Sequence, residues 1–339
     1  MSVLDLFKKA ASPLSRRSPR GGSGLRWGLR PQTVGPRWGL RPQTPGADDD
    51  LFDDEFQRKL DYLAIVSRRV FSGAMRAERR TKKTGSGVEF ADHRDYTPGD
   101  DFRYLDWSAY QRFDRLLIRL YEEEEDLSIY FILDTSSSMG FGDGDKLKQA
   151  KRLAAALAYV GLANLDRIAI VTATDEINGR MQSTRGKARI FRIFRFLRDT
   201  RAEGHTDLGE AMKTFVAQHK RRGLAVLLTD LYDPAGFERG INVLRYNKFD
   251  PFVIHVVDPR EARPDLRGDV RVYDCETGDE REVTVTAKVL ERYAAAWEEY
   301  IDEAKRFCTS RQVSYFRADV NVPFDELILR VFRRGGFLR

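Results

Sequence analysis

Five oxygen-bearing side chains follow apolar runs of the sequence, and their chemistry is that of a metal site. They are Asp134, Ser136, Ser138, Thr206 and Asp230. The first three come at the end of the run "LSIYFILD" (127–134), the last closes the run "LAVLLTD" (224–230), and the threonine lies in "GHTDLGEAM" (204–212). Oxygen-only ligands that include two carboxylates suit a hard divalent cation, Mg²⁺ or Mn²⁺. Because hydroxyl ligands carry no charge, they leave the positive charge of such an ion only partly neutralised. The ion can therefore accept one more carboxylate from another protein.

Each of these residues also has an ordinary structural explanation. The serines at 136 and 138 are typical of a turn or of a helix N-cap. Thr206 and Asp207 could cap the next helix, with Glu210 completing a capping box. Asp230 alone is a common strand-end acid. Their coincidence at one sheet edge favours the metal site, which we expect to lie at the surface.

The elements around these residues alternate between strands and helices. The predicted strands are 127–134, 167–174, 224–230, 251–258 and 312–316. The predicted helices are 145–163, 187–199, 207–220, 288–308 and 324–334. Near-continuous apolar strands separated by helices predict an α/β fold with a doubly wound, Rossmann-like, mostly parallel sheet. Ligands bind such sheets at the carboxyl ends of the strands, where both aspartates lie.

Two further segments frame the predicted sheet. Residues 52–80 repeat apolar side chains at helical spacing, and a loop-rich stretch follows to about residue 115. We therefore predict an N-terminal arm made of a helix and loops. The segment 270–285 is typical of a hairpin that turns at Thr277–Gly278–Asp279.

The predicted helix at 187–199 carries a basic face. Its arginines recur every third residue: Arg189, Arg192, Arg195 and Arg198. Its predicted buried residues are Ile190, Phe191, Ile193, Phe194 and Leu197. Such a face is often merely solvated, but this helix runs into the loop that carries Thr206. The arginines are therefore candidates for contact with an acidic partner.

The net charge of +6 comes from an N-terminal tail. Residues 1–46 hold nine Lys/Arg and one acid, whereas the remainder holds 49 basic and 51 acidic residues. The tail repeats "RWGLRPQT" at 26–33 and 37–44 among Pro, Gly and Ser, which predicts a disordered, basic, Pro/Gly-rich tail over residues 1–47. It is either a passive extension or a tether for a partner or for nucleic acid.

Composition and missing motifs exclude several classes of protein. Two cysteines and four histidines provide neither a disulfide framework nor a zinc site. No apolar run is long enough to span a membrane and no secretory signal is visible, so we expect a cytoplasmic protein without membrane insertion. No nucleotide-binding loop, esterase elbow or zinc-protease motif occurs, so we expect no enzyme and no small-molecule substrate.

The best enzymatic alternative is a metal-dependent phosphatase. It would use Asp134 as the nucleophile and His205 as a general base. Ser136 stands where such phosphatases usually carry a second acid, which argues against this alternative.

The five site residues, in this order and at these strand ends, resemble the metal-ion-dependent adhesion site of von Willebrand factor type A domains. The resemblance covers about residues 126–339. It implies that the three hydroxyls are direct or near-direct ligands and that the two aspartates act directly or through water. It also implies a binding role rather than catalysis.

The segment "GSGVEFADHRDYTPGDDFRYLDWSAYQR" (85–112) resembles the segment that defines the bacterial family called domain of unknown function 58. The matching positions are Gly87, Glu89, Phe90, Arg94, Tyr96, Pro98, Gly99, Asp100, Arg103, Asp106, Trp107 and Arg112. Gln111 and Glu125 depart from the family pattern, which commonly has Ala and Arg there. Many relatives carry membrane helices ahead of this segment, whereas this chain resembles the short soluble type.

The residues of this segment also have a physical interpretation of their own. Tyr96-Thr97-Pro98-Gly99 suits a type II turn. Four charged residues could form an ion network, and two aromatic ones could supply apolar mass: Arg94, Asp100, Arg103, Asp106, Tyr96 and Trp107. We interpret the segment as a clasp that holds the N-terminal helix to the sheet. The alternative is a surface that presents its charges to a partner.

The family resemblance implies a MoxR-type AAA+ ATPase as the partner, because members of both families are often found together. We predict three parts: the tail 1–47, the helix and signature segment 48–125, and a von Willebrand factor A-like domain 126–339. The predicted function is a divalent-cation-dependent protein–protein interaction module, an adaptor or co-chaperone of that ATPase. The alternatives are a nucleic-acid-associated protein that uses the basic tail, and the phosphatase.

Overall fold

The computed structural model describes residues 51–78, 80–84, 89–124 and 127–333. The described strands are β1 (Arg80–Thr84), β2 (Glu89–Asp95), β3 (Leu117–Glu124), β4 (Ser128–Asp134), β5 (Arg167–Ala173), β6 (Ile177–Thr184), β7 (Leu224–Thr229), β8 (Asp250–Val257), β9 (Gly268–Tyr273), β10 (Glu280–Val285) and β11 (Ser314–Asp319). The described α-helices are α1 (Asp54–Glu78), α2 (Trp107–Phe113), α3 (Phe141–Ala163), α4 (Ile190–Asp199), α5 (Leu208–Gln218), α6 (Glu238–Tyr246), α7 (Pro259–Ala262), α8 (Ala287–Ser310) and α9 (Phe324–Arg333). The predicted tail 1–47 lies outside the described residues.

A six-stranded sheet in the order β11-β8-β7-β4-β5-β6 forms the centre of the chain. Five of its strands run parallel, and β6 pairs antiparallel with β5 at one edge. The predicted doubly wound α/β fold is therefore confirmed. The apolar pattern does not predict β6, because this edge strand is largely exposed and rich in polar residues. It does not predict α6 either, because that helix is short and contains a glycine.

Helices cover both faces of this sheet, and β4 contributes to both buried layers. Its residues Ile129 and Phe131 belong to one apolar cluster, whereas Tyr130 and Ile132 belong to the other. This alternation follows from the two-residue period of a strand. All seven residues of β4 are buried, so the position of its last residue, Asp134, is fixed by packing on both sides.

Helix α1 packs onto the first of these faces through its own apolar residues. Phe56, Leu60 and Leu63 are buried in the cluster that also contains residues of α3 and α9. Just before the helix, the Phe52 ring stacks on Phe194 of α4 with a centroid distance of 4.5 Å. Direct packing therefore holds the N-terminal helix to the α/β domain.

The segment after α1 is not the loop-rich arm that the sequence predicts. Strands β1, β3 and β2 form a three-stranded antiparallel sheet in that order. The strands β1 ("RTKKT") and β2 ("EFADHRD") are rich in charged residues. These strands therefore lack the alternation of apolar and polar residues by which a strand is predicted. They are defined by backbone hydrogen bonds, which residues of almost any type can form.

The predicted ion network of this segment forms only in part. Arg94 pairs with Asp100 at 2.8 Å, as expected. Arg103 pairs instead with Asp101 at 2.6 Å. Asp106 does not bind an arginine in this network: its carboxylate caps α2 by accepting backbone N–H groups. The other oxygen of the Asp106 carboxylate lies 2.9 Å from Nε2 of His93, so Asp106 is engaged by the helix end and by a histidine.

Trp107 does not supply the buried apolar mass that a clasp requires. Its side chain is 58% exposed. Tyr96 stacks on Phe102 with a centroid distance of 5.4 Å, but Phe102 is itself largely exposed. The clasp interpretation is therefore wrong in its apolar part: Trp107 and Phe102 face outward, and Tyr96 is only half-buried.

Candidate functional site

Asp134 lies at the carboxyl end of β4 and is completely buried. Its Oδ1 accepts a hydrogen bond from the backbone N–H of Ser136 (3.0 Å). Its Oδ2 accepts a hydrogen bond from the hydroxyl of Thr229, at the end of the neighbouring strand β7 (2.5 Å). Both carboxylate oxygens are therefore held in place, and they cannot reorient without breaking contacts.

The two predicted serine ligands follow in the loop after β4. The hydroxyl oxygens of Ser136 and Ser138 lie 3.0 Å apart, and both residues are buried. Ser138 belongs to a short 3-10 turn, Ser137–Gly140, that leads into α3. Ser136 therefore contacts the Asp134 carboxylate directly, and Ser138 is joined to it through the Ser136 hydroxyl.

Thr206 lies in the loop between α4 and α5, and a carboxylate from another part of the chain binds it. The backbone N–H of Thr206 donates to Oε2 of Glu276 (2.9 Å), and its hydroxyl donates to Oε1 (2.8 Å). The hydroxyl of Ser138 also hydrogen-bonds to Glu276. Glu276 comes from the turn of the β9–β10 hairpin, which the sequence pattern predicts correctly. Its position at the site is not visible in the sequence.

Asp230 follows β7 and forms an ion pair with a buried lysine. The Nζ atom of Lys146, in α3, lies 2.6 Å from Oδ2 of Asp230 and 2.6 Å from Oε1 of Glu261. Lys146 is completely buried, and both carboxylates are almost so. Neither Lys146 nor Glu261 was expected at the site from the sequence. No spacing signal marks them, because they lie in different helices that only the fold brings together.

Burial and mutual repulsion change the pKa values of these acids. Burial, and then the charge of Asp230, raise the pKa of Asp134 to about 7, although the hydrogen bond from Thr229 opposes this. Burial also raises the pKa of Glu261 to about 7, against the attraction of Lys146. For Lys146, burial disfavours the charge, but Asp230 and Glu261 together outweigh it and raise its pKa.

The same effects act on the carboxyl group of the hairpin. Burial raises the pKa of Glu276 above its usual range, whereas the hydrogen bonds from Thr206 and Ser138 lower it. The charge of Asp230 raises it further. Hydrogen bonds therefore hold Glu276 near Asp230, although the two carboxylates repel each other.

The structure thus gathers all five predicted ligands at one edge of the sheet, where parallel strands β4 and β7 end. They are far more buried than we expect from the sequence: each is at most 7% exposed. The predicted surface location is therefore wrong, since the hairpin turn with Glu276 lies against Thr206 and Ser138. Their role as metal ligands stays a prediction.

The donor set fits a hard divalent cation in chemistry and in charge. Lys146 pairs with Asp230 and Glu261, and the charge of Asp230 acts on both Asp134 and Glu276. A divalent cation beside the hydroxyls would relieve the remaining repulsion. Within the described part of the chain no group of three or more His, Cys, Asp or Glu side chains is arranged to hold a metal. The predicted set differs from such a group because hydroxyls supply three of its five ligands.

The basic helix α4 lies next to the loop that leads to Thr206. Arg189, Arg192 and Arg195 are exposed, and Arg198 is half-buried. Four of the five predicted apolar positions are buried, but Phe191 is 64% exposed and that prediction is wrong. The arginines therefore share an outward side of the helix with an aromatic ring.

Residues 92–301 match the family model described as "Protein of unknown function DUF58", which is more than half of the chain. The chain belongs to the DUF58 family. The matched residues include every member of the candidate site, from Asp134 to Glu276.

Similar proteins occur in mycobacteria. An uncharacterised protein of Mycobacterium bovis is 25% identical over 253 residues, which cover 73% of this chain and 79% of the relative. An uncharacterised protein of Mycobacterium avium is 34% identical over 91 residues, which cover 26% of this chain and 53% of that protein. These relatives support membership of the family and assign no activity.

Solved structures with a similar arrangement include two from Bacteroides. The conserved hypothetical protein BatB from Bacteroides thetaiotaomicron is 14% identical and has a TM-score of 0.37, covering 61% of this DUF58 chain and 96% of that chain. An aerotolerance-related membrane protein from Bacteroides fragilis is 14% identical with a TM-score of 0.34, covering 61% of this chain and 99% of that one. Among the residues described for the DUF58 chain, no helix combines the length and apolarity that a membrane span requires.

Proposed function

We propose that this DUF58 chain is a divalent-cation-dependent protein–protein interaction module. In this proposal, Mg²⁺ or Mn²⁺ is bound by Asp134, Ser136, Ser138, Thr206 and Asp230. An acidic residue of a partner completes the coordination of the ion. We further propose that the partner is a MoxR-type AAA+ ATPase, as the family resemblance implies, which would make this chain its adaptor or co-chaperone.

The observation that carries the proposal is the convergence of oxygen donors at the ends of β4 and β7. Hydroxyl oxygens of the two serines lie 3.0 Å apart beside the fixed carboxylate of Asp134. Thr206 already binds a carboxylate, through two hydrogen bonds to Glu276. Oxygen donors that suit a hard cation, and a threonine that binds an acidic side chain of the same chain, support the proposal.

The geometry favours binding over phosphoryl transfer. A nucleophilic carboxylate needs a free oxygen that faces the substrate. Both oxygens of Asp134 accept hydrogen bonds, and the side chain is completely buried. Such a carboxylate is suited to anchoring an ion, directly or through water, and not to attacking a phosphate.

The decisive experiment compares metal binding and partner capture in matched variants. Asp134→Asn preserves the shape of the side chain and removes its charge. Asp319→Asn is the control, because Asp319 also ends a parallel strand but pairs with Arg317 at 3.1 Å outside the cluster. Calorimetry should detect Mg²⁺ or Mn²⁺ binding to the wild type and to the control, and not to Asp134→Asn.

The partner is tested by capture from native lysate with Mg²⁺ or with EDTA. We expect mass spectrometry to identify a MoxR-type ATPase with the wild type in Mg²⁺ only. Equal metal affinity in the wild type and Asp134→Asn would refute the metal site. Recovery of the ATPase in EDTA at the level seen in Mg²⁺ would refute the cation-dependent contact.

A further inference from the structure

Glu276 is an acidic side chain of the chain itself that binds directly to a residue of the candidate site. Its carboxylate accepts both the N–H and the hydroxyl of Thr206, and it also contacts the hydroxyl of Ser138. Two of the three hydroxyls of the donor set therefore bind one carboxylate that is not part of the strand-end motif. The chain supplies this acid itself.

The turn that carries Glu276 presents it in a defined conformation. The carboxylate of Asp274 accepts the backbone N–H groups of Glu276 and Thr277, at 2.9 and 3.1 Å. Gly278 adopts a positive φ of 73°, which favours glycine, and its N–H donates to the carbonyl of Asp274 (3.0 Å). The turn is thus built by its own hydrogen bonds and projects Glu276 towards the sheet edge.

The hairpin behind this turn is independent of the central sheet. Among the described strands, β9 pairs with β10 alone. Most of its side chains are exposed, although Val283 and Val285 of β10 are buried. A two-stranded hairpin has little stability of its own. The hydrogen bonds of Glu276 to Thr206 therefore help to hold the tip against the domain.

Electrostatic repulsion between the acids at the site favours the binding of a cation. Asp230 lies close enough to Glu276 to repel it, and Asp134 and Asp230 repel each other. The positive charge of Lys146 is already shared between Asp230 and Glu261. A second positive charge between these acids would convert the repulsion of Glu276 into attraction.

We propose that Glu276 is an internal ligand of the divalent cation at this site, held at the position that the acidic residue of a partner takes. The inference rests on the proposed function, because it requires the cation. It adds a ligand from the hairpin to the five strand-end residues. It also means that the hairpin tip covers the ion, so a partner must displace Glu276 before its own carboxylate can bind.

The test uses the full chain with Glu276→Gln, which keeps the shape of the side chain, removes its charge and replaces one of its two acceptor oxygens with an NH₂ donor. The matched control is Glu280→Gln, on the same hairpin, where the carboxylate is exposed and lies 3.7 Å from Arg271. Calorimetry with Mn²⁺ and with Mg²⁺ should show affinity weakened at least about tenfold in Glu276→Gln, as expected when a group that supports a metal is removed. The control should bind the metal like the wild type.

A second readout follows the hairpin tip without measuring affinity. Cys275 is exposed beside Glu276, whereas Cys308 is buried. Desolvation at the closed tip nevertheless raises the pKa of the Cys275 thiol to about 12, so the thiol reacts slowly there and its rate of modification by a maleimide reagent reports on opening of the tip. For each variant we compare the rate of modification with Mg²⁺ to the rate in NaCl of equal ionic strength. Mg²⁺ should slow the reaction several-fold in the wild type and in Glu280→Gln, and leave it unchanged in Glu276→Gln.

The outcomes separate this inference from the proposed function. If the wild type binds no divalent cation, both proposals fail. If the wild type and Glu276→Gln bind the metal equally, or if Mg²⁺ protects Cys275 equally in both, the cation site stands and the internal ligand is refuted. Weaker binding together with lost protection in Glu276→Gln alone supports the inference.

Discussion

Replacing Lys146 with methionine removes one buried charge and leaves two buried carboxylates facing each other. Lys146 is completely buried, and its ammonium group lies 2.6 Å from both Asp230 and Glu261. Methionine has a similar length, so the loss is electrostatic and creates little empty volume. Removing one partner of a buried ion pair costs about 3–5 kcal/mol. We expect the free energy of unfolding to fall by that amount.

The assay is thermal and urea unfolding of the wild type, Lys146→Met and a control. For a domain of this size, about 3–5 kcal/mol corresponds to a fall in Tm of roughly 6–20 °C. The control is Lys148→Met in the same helix, where the side chain is partly exposed and lies 3.9 Å from Asp145. Such a surface pair contributes about 0–1 kcal/mol, so the control should melt close to the wild type.

The loss should also depend on pH. The pKa of Glu261 is about 7 in the folded chain, above its ordinary value of 4.5, and removing Lys146 raises it further. A carboxyl group whose pKa is higher in the folded than in the unfolded state lowers the free energy of unfolding as pH rises from the unfolded pKa through the folded one. The raised pKa of Lys146 itself keeps its charge in place throughout this range. The difference between wild type and Lys146→Met should therefore be larger at pH 8 than at pH 6.

A melting temperature of Lys146→Met equal to that of Lys148→Met at pH 8 would refute this prediction. The prediction also fails if the difference from the wild type shrinks between pH 6 and pH 8. Either result would mean that the two carboxylates do not depend on the ammonium group for their burial.

Two further predictions concern helix α4. Phe194→Ala should lower the free energy of unfolding by about 3–5 kcal/mol, because its buried ring stacks on Phe52. Phe191→Ala removes an exposed ring and should change the free energy of unfolding by less than about 0.5 kcal/mol. Equal losses for the two variants in chemical unfolding would contradict the assigned buried and exposed faces of α4. The double variant Arg192→Glu with Arg195→Glu should slow association with the ATPase partner mainly at low salt and leave metal affinity unchanged. Exposed charges steer the encounter of two proteins, and salt screens these charges. Stopped-flow association rates that match the wild type at low ionic strength would show that this face is only solvated.

Some features of this protein follow from the sequence alone. The strands β4 and β7 are continuous apolar runs, and buried parallel strands require that composition. Because parallel strands end at the same edge of a sheet, the aspartates that close these runs had to lie near each other. The repeat of apolar residues in α1 and α4 likewise predicts which elements pack on the sheet, since one face of a helix must be buried.

Other features depend on contacts between distant segments, and only the tertiary structure decided them. Lys146, Glu261 and Glu276 come from two helices and a hairpin turn, and no local pattern links them before the chain folds. Phe191 satisfies the apolar spacing of α4 yet is exposed, because the neighbouring helices cover only part of that face. The sheet of β1, β2 and β3 is held by backbone hydrogen bonds between charged strands. The type of a side chain indicates whether that residue will be buried. It does not indicate which distant group will bind a given carboxylate, ammonium group or backbone N–H.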